Sequence, residues 1–88
     1  MLTLTLKESH TVFVGDTPAT VAVIMKDCIE LEVGGDKFIP ITTDEWSEIL
    51  PDVKCKLRPS GDLYPWRVRL MFDAPRAIKI FRAELRRR

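Results

Sequence analysis

The sequence predicts a small, mainly β domain with one or two short helices. Apolar residues recur at every second position in several short runs, as in Leu2-Thr3-Leu4-Thr5-Leu6 and Cys28–Val33. That is the period of a strand with one buried face. Turn-forming clusters separate the runs: Gly15-Asp16, Lys26-Asp27, Gly34-Gly35-Asp36 and Pro59-Ser60-Gly61-Asp62. With 88 residues there is room for one domain, and a chain this short buries only about 60–65% of its unfolded surface. Without metals or disulfides, dimerisation is the ready way to enlarge the core.

The elements follow in order. Met1–Leu6 and Thr11–Val14 read as two strands joined by Glu8–His10, so Met1–Val14 is expected to form a hairpin closed by Gly15-Asp16. Pro18 then punctuates the chain. Thr20–Met25 and Cys28–Val33 form two strands around Lys26-Asp27; Ile29, Leu31 and Val33 point inward, Glu30 and Glu32 outward. Lys37–Ile41 is a short strand that Pro40 confines to a sheet edge. Thr42–Leu50 is a helix candidate, with Thr43 as cap, Asp44 and Glu45 in the first turn and Trp46, Ile49 and Leu50 on one face before Pro51 stops it. Val53–Leu57, Arg67–Phe72 and Ala77–Phe81 alternate again as strands. Arg82–Arg88 reads as a short helical or frayed end.

The formal charge of +1 hides a division along the chain. Residues 1–53 hold Lys7, Lys26 and Lys37 against ten acids, a balance of −7, whereas residues 54–88 hold eleven Lys/Arg against Asp62, Asp73 and Glu84, a balance of +8. Because the basic residues alternate with apolar ones in strand patterns, they imply a folded positive surface suited to phosphate backbones or acidic partners. Cys28 and Cys55 form no CxxC and, with His10 alone, supply no metal site, so both read as reduced thiols and no cofactor is expected. The chain starts directly into an alternating segment without a leader pattern and holds no apolar run near ~20 residues. It is therefore expected to be cytoplasmic, with no membrane partner.

Enzyme signatures are missing. Val33-Gly34-Gly35-Asp36 lacks the spacing of a phosphate loop, and no nucleophile elbow or HExxH motif is present. His10 reads as a surface histidine, and Glu30 with Glu32 as a solvated strand face. Trp46 reads as core on the helix; Trp66, beside Tyr64, Arg67 and Arg69, is either a base-stacking platform or a core filler.

The two ends of the chain carry a more specific pattern. Val68-Arg69-Leu70, Asp73-Ala74-Pro75-Arg76, Ile78 with Ile80, and Arg82-Ala83-Glu84-Leu85 stand in order near the C-terminus, while Met1-Leu2-Thr3-Leu4-Thr5 and Val14-Gly15-Asp16 open the chain. This arrangement resembles the carbon storage regulator (CsrA/RsmA) family. Members of that family have a strand VRLGI, an Ala-Pro turn, an alternating strand and an R-x-E-L helix start, after an opening MLxLT and an I-G-D turn. The resemblance implies a small β-sheet or barrel domain of interleaved strands in a strand-swapped homodimer, the first strand of one subunit beside the last strand of the other. It further implies a post-transcriptional regulator that binds GGA-type single-stranded loops in an mRNA leader or small regulatory RNA. Carried over by position, the RNA-binding residues are Leu4, Thr5 and Lys7 on the first strand. Ala74, Pro75, Arg76, Ile78, Ile80 and Arg82 follow on the turn and last strand. Arg82 is suited to stacking on a base or gripping phosphate, and Arg76 and Lys7 to phosphate.

The chain departs from the family pattern in three places. Leu6 replaces the first of a usual basic pair, Phe81 stands where a His is usual, and the middle is longer. One placement takes residues 17–52 as an acidic β-rich insertion; the other reads Val21–Leu50, with its strand, strand, Gly-rich turn, strand and helix, as a degenerate duplication. The insertion is preferred, because only the C-terminal copy has the Ala-Pro turn and the Arg. The acidic half also leaves a second class of function open, a protein-interaction module or antagonist that keeps the fold and engages a protein partner.

Overall fold

Alternating side chains give each strand one apolar face, and the chain buries those faces between two antiparallel sheets. The computed structural model describes residues 1–59 and 61–83. Its strands are β1 (Leu2–Leu6), β2 (Thr11–Val14), β3 (Thr17–Ile24), β4 (Cys28–Val33), β5 (Lys37–Thr42), β6 (Ser47–Leu50), β7 (Val53–Leu57), β8 (Val68–Asp73) and β9 (Ile80–Arg82). One sheet runs β1-β8-β7-β6 and the other β5-β4-β3-β2-β9. Among the described residues helix is limited to a single 3-10 turn, Gly61–Leu63, and to Ala83. The expectation for Arg82–Arg88 falls outside the described residues beyond Ala83.

The sheet orders contain a repeat. Advancing every strand of β1-β8-β7-β6 by four positions around the first eight strands gives β5-β4-β3-β2, which is the second sheet without β9. The connections agree: residues 7–10 and 43–46 carry the chain across between sheets, and the two-residue turns Gly15-Asp16 and Pro51-Asp52 close β2–β3 and β6–β7. The left-handed backbone these tight turns need is supplied by Gly15 (φ 62°) and Asp52 (φ 66°). The core is shared evenly. Of sixteen buried apolar residues, eight come from β1–β4 and eight from β5–β8, with Ala19, Val21, Ile29 and Leu31 matched by Cys55, Leu57, Val68 and Leu70. Each fully buried Leu, Val, Ile or Phe contributes about 1.5–3 kcal/mol. Residues 17–52 supply β3 to β6 and so belong to both sheets.

Several elements differ from expectation. Met1–Val14 is not a hairpin: β1 pairs with β8, Leu4 opposite Leu70, and β2 pairs with β3. Thr42–Leu50 is not a helix. Thr42 Oγ1 accepts from Asp44 N at 3.4 Å in a turn, and Ser47–Leu50 pairs with β7, burying Ile49. Apolar residues at Trp46, Ile49 and Leu50 fit a short strand as well as a helical face, and the strand alone satisfies its backbone on a neighbour. Trp46 lies half-buried outside the core, its ring centroid 6.0 Å from Lys56 Nζ. Pro18 does not break the chain; it lies in β3 opposite Phe13, beyond the last rung to β4 at Ala19–Val33, where no amide is called for. The last strand begins later than expected, at Ile80, because Ile78 N is engaged with Pro75 O (3.0 Å) in a turn. Pro40 sits on edge strand β5, as its missing amide requires.

Candidate nucleic-acid interface

β1 and β9 are the outer strands of different sheets, and the same chain supplies both. The resemblance placed the first and last strands side by side across a dimer; here β1 is bonded to β8 and β9 to β2. A recess opens at each end of this pair of edges.

The first recess, of about 200 Å³, is lined by Thr5, Lys7, His10, Arg67 and Arg82. Thr5 points outward because its neighbours Leu4 and Leu6 pack inward on β8. Lys7 and His10 come from the crossover between β1 and β2, where His10 N donates to Lys7 O at 3.1 Å. That crossover is fixed to β3 by bonds from Ser9 N to Val21 O (2.7 Å) and from Val21 N to His10 O (2.9 Å). Arg67 is delivered by the long connection before β8, whose Leu63 carbonyl accepts from both Trp66 N (2.7 Å) and Arg67 N (2.9 Å). Arg82 closes the recess from β9, where its backbone is opposite Val12. Among the described residues no carboxylate lines it. Three permanent cations therefore face one small space, which favours an anion.

Two further groups extend this surface. Arg69 is the cross-strand partner of Thr5, and its Nε is buried with no hydrogen-bond partner among the described residues. Leaving such a donor unmet costs about 1–3 kcal/mol, a cost that an oxygen-rich ligand beside it would offset. Trp66 is 74% exposed and lies next to Arg67, so it is no core filler.

The second recess, of about 180 Å³, lies at the other end of β1 and β9. Met1, Leu2 and Phe72 form one wall; Ala74, Pro75, Arg76, Ile78 and Ile80 form the other. Its shape is held by the Pro75–Ile78 turn and by Gly15 N donating to Lys79 O at 2.7 Å.

The nine residues expected from sequence thus divide along one cleft. Thr5, Lys7 and Arg82 meet at the basic end, and Ala74, Pro75, Arg76, Ile78 and Ile80 at the apolar end. Leu4 does not reach either recess; it packs against the core opposite Leu70, as do Ile78 and Ile80 in part. Sequence reasoning missed His10 and Arg67 as site residues. For Arg67 a signal existed, its place two residues before Arg69 in the alternating Arg67–Phe72 run, although β8 itself starts at Val68; for His10 none did, because only the crossover brings it to Lys7. The outward faces differ in sign. Lys54, Lys56 and Arg69 project from β7 and β8, with Glu48 and Asp73 in register beside Lys54, so the positive excess lies at Lys56 and Arg69; Glu30 and Glu32, half-buried opposite Pro40 and Phe38, project from β4 with no cation opposite them.

Cys28 is half-buried on β4 and Cys55 buried on β7, both as free thiols, and burial pushes the Cys55 thiol up to about 12. Among the described residues no group of three His, Cys, Asp or Glu side chains is placed to hold a metal ion, and no helix is long and apolar enough to cross a membrane. Comparison with known protein families, with curated proteins and with solved structures finds no match to this chain.

Proposed function

We propose that this chain is a post-transcriptional regulator that binds a single-stranded RNA loop of the GGA type in the cleft between β1 and β9. The observation that carries the reading is the convergence of Lys7, Arg67 and Arg82, distant in sequence, on one recess free of described carboxylates. In this reading the three cations neutralise phosphates of the loop. Trp66, exposed beside Arg67, offers a ring on which an unstacked base lies. The edge of β1, unpaired among the described residues, presents backbone donors and acceptors to base edges, and the second recess receives an apolar or stacked portion of the next nucleotide.

The test is a titration of the protein into a labelled hairpin with GGA in its loop, beside a loop-scrambled hairpin, at two salt concentrations. Binding that prefers GGA, weakens with salt and collapses in Arg82→Ala supports the reading; equal or absent binding to both hairpins refutes it. A second reading, a protein-binding role, draws on the outer face of the other sheet. There Phe38 is 57% exposed beside Glu32, a surface of the right character for a basic, apolar-tipped protein segment. A role of that kind survives Arg82→Ala and is lost in Phe38→Ser.

A further inference from the structure

The four-position shift that superimposes the two sheet orders also pairs their surfaces, and the pairs are unlike. By strand and register, the crossover that brings Lys7 and His10 to the basic recess corresponds to the crossover of Thr43 and Trp46. Arg69 and Met71, outward on β8, correspond to Glu30 and Glu32, outward on β4. Gly15, whose N–H holds β9 through Lys79 O at 2.7 Å, corresponds to Pro51, which has no N–H to give. β2 carries β9 on its free side; β6 carries no described strand. The sister cleft, about 330 Å³ between β5 and β6, is lined by Lys37, Ile39, Glu48, Ile49, Leu50 and Pro51. It is also drawn together by Ser47 Oγ donating to Pro40 O at 3.3 Å.

We infer that the chain is a fused pair of one four-strand unit that closes its core as a monomer, with a single anion-binding cleft; in the sister cleft no described strand takes the place of β9, and its one cation, Lys37, stands with the carboxylate of Glu48. Two units that share strands satisfy in one chain what an association of two small chains satisfies otherwise: both sheets are closed on the same core, and each unit gives half of it. The functional consequence is monovalency. One chain takes one loop, and it cannot bridge two loops of the same RNA. For its ligand the inference rests on the nucleic-acid reading above; for its geometry it does not.

The experiment combines sedimentation of the free protein with backbone-amide NMR titration by two probes, tripolyphosphate and the GGA hairpin. A monomer of 10.1 kDa is expected. Tripolyphosphate should shift the amides of residues 7–10, Arg67 and Arg82 while residues 47–52 stay still. The hairpin should saturate at one equivalent per chain with the same pattern. A stable dimer, two hairpins per chain, or matching shifts at residues 47–52 would overturn the inference, and hairpin binding in any of those cases leaves the RNA reading standing. If tripolyphosphate moves the β1–β9 cleft and the hairpin does not, the RNA reading fails and the single-cleft monomer stands. If neither probe moves that cleft, both fail.

Discussion

If the basic recess holds RNA as proposed, its cations set the salt dependence of binding. Lys7, Arg67 and Arg82 line it, and each cation that neutralises a phosphate of a single strand contributes about −0.7 to the slope of log K against log salt. Three such contacts give a slope near −2. Between about 50 and 200 mM salt the affinity should then fall about twentyfold. Removing one cation leaves two contacts and a slope near −1.4, so the same change in salt costs only about sevenfold. Fluorescence anisotropy with the GGA hairpin, repeated at five or so salt concentrations, measures the slope for the parent and for Lys7→Ala, Arg67→Ala and Arg82→Ala. Three variants that each flatten the slope by about 0.7 confirm shared phosphate contact. A parent slope near zero, or variants that weaken binding with an unchanged slope, refutes the assignment of these side chains to phosphate. A slope much steeper than −2 would instead bring Arg86-Arg87-Arg88 into the count, and truncation after Leu85 would return it to the value given by the recess.

Trp66→Ala should weaken hairpin binding by about 1–3 kcal/mol, the value of one stacked base. It should leave urea stability within about 0.5 kcal/mol, since an exposed side chain supports little; an effect confined to stability argues against stacking. Leu70→Ala removes a fully buried side chain from the central part of the β1–β8–β7 region. It should cost about 2–5 kcal/mol in urea denaturation, and a cost below about 1 would mean that the sheets pack otherwise. Cys55, with its thiol pushed up to about 12 from an ordinary 9.0, should resist a thiol reagent in the folded protein while half-buried Cys28 reacts; labelling of both at one rate contradicts the burial. The sign of the linkage also follows. The folded chain holds the Cys55 proton above pH 9.0 while the unfolded chain releases it. Its stabilising contribution is therefore full below that pH and is lost as pH rises toward 12, a decline that Cys55→Ala flattens in thermal melts. Gly15→Ala meets no close atom, the nearest being Ile78 Cγ2 at 3.9 Å, but it forces an L residue to φ 62°. The expected cost is about 1–2 kcal/mol in the same denaturation assay.

Local alternation made most strands legible. In Cys28–Val33 the outward glutamates and inward Ile29, Leu31 and Val33 stand as the period requires, and Val53–Leu57 has the expected bounds. Segment 42–50 misled, because two or three apolar residues at mixed spacing suit either period, and only the backbone of β7 decides between them. Which sheet a strand joins was not written locally at all. Leu2–Leu6 finds its partner at Val68–Phe72, across most of the chain, so nearness in sequence to Thr11–Val14 does not set its pairing. The site shows the same limit. Thr5, Lys7 and Arg82, named together by the resemblance of the two chain ends, do line one recess, whereas His10 and Arg67 join that lining only through the β1–β2 crossover and the Leu63 carbonyl.

Because β1–β4 and β5–β8 lie in one chain, a substitution in one is not copied into the other. In a two-fold assembly of identical chains, a glutamate outward on β4 would appear on both faces and its charge would cancel in any net dipole across the axis. Here Glu30 and Glu32 mark one sheet only, while Lys56 and Arg69 mark the other. The recess of Lys7, Arg67 and Arg82 likewise has no equivalent in the lining of the second cleft, so the field is lopsided, and within about 10 Å, a Debye length at moderate salt, an approaching anion is drawn to that one end before any contact forms. Orientation, which usually slows association between a protein and its target, is then partly settled during diffusion.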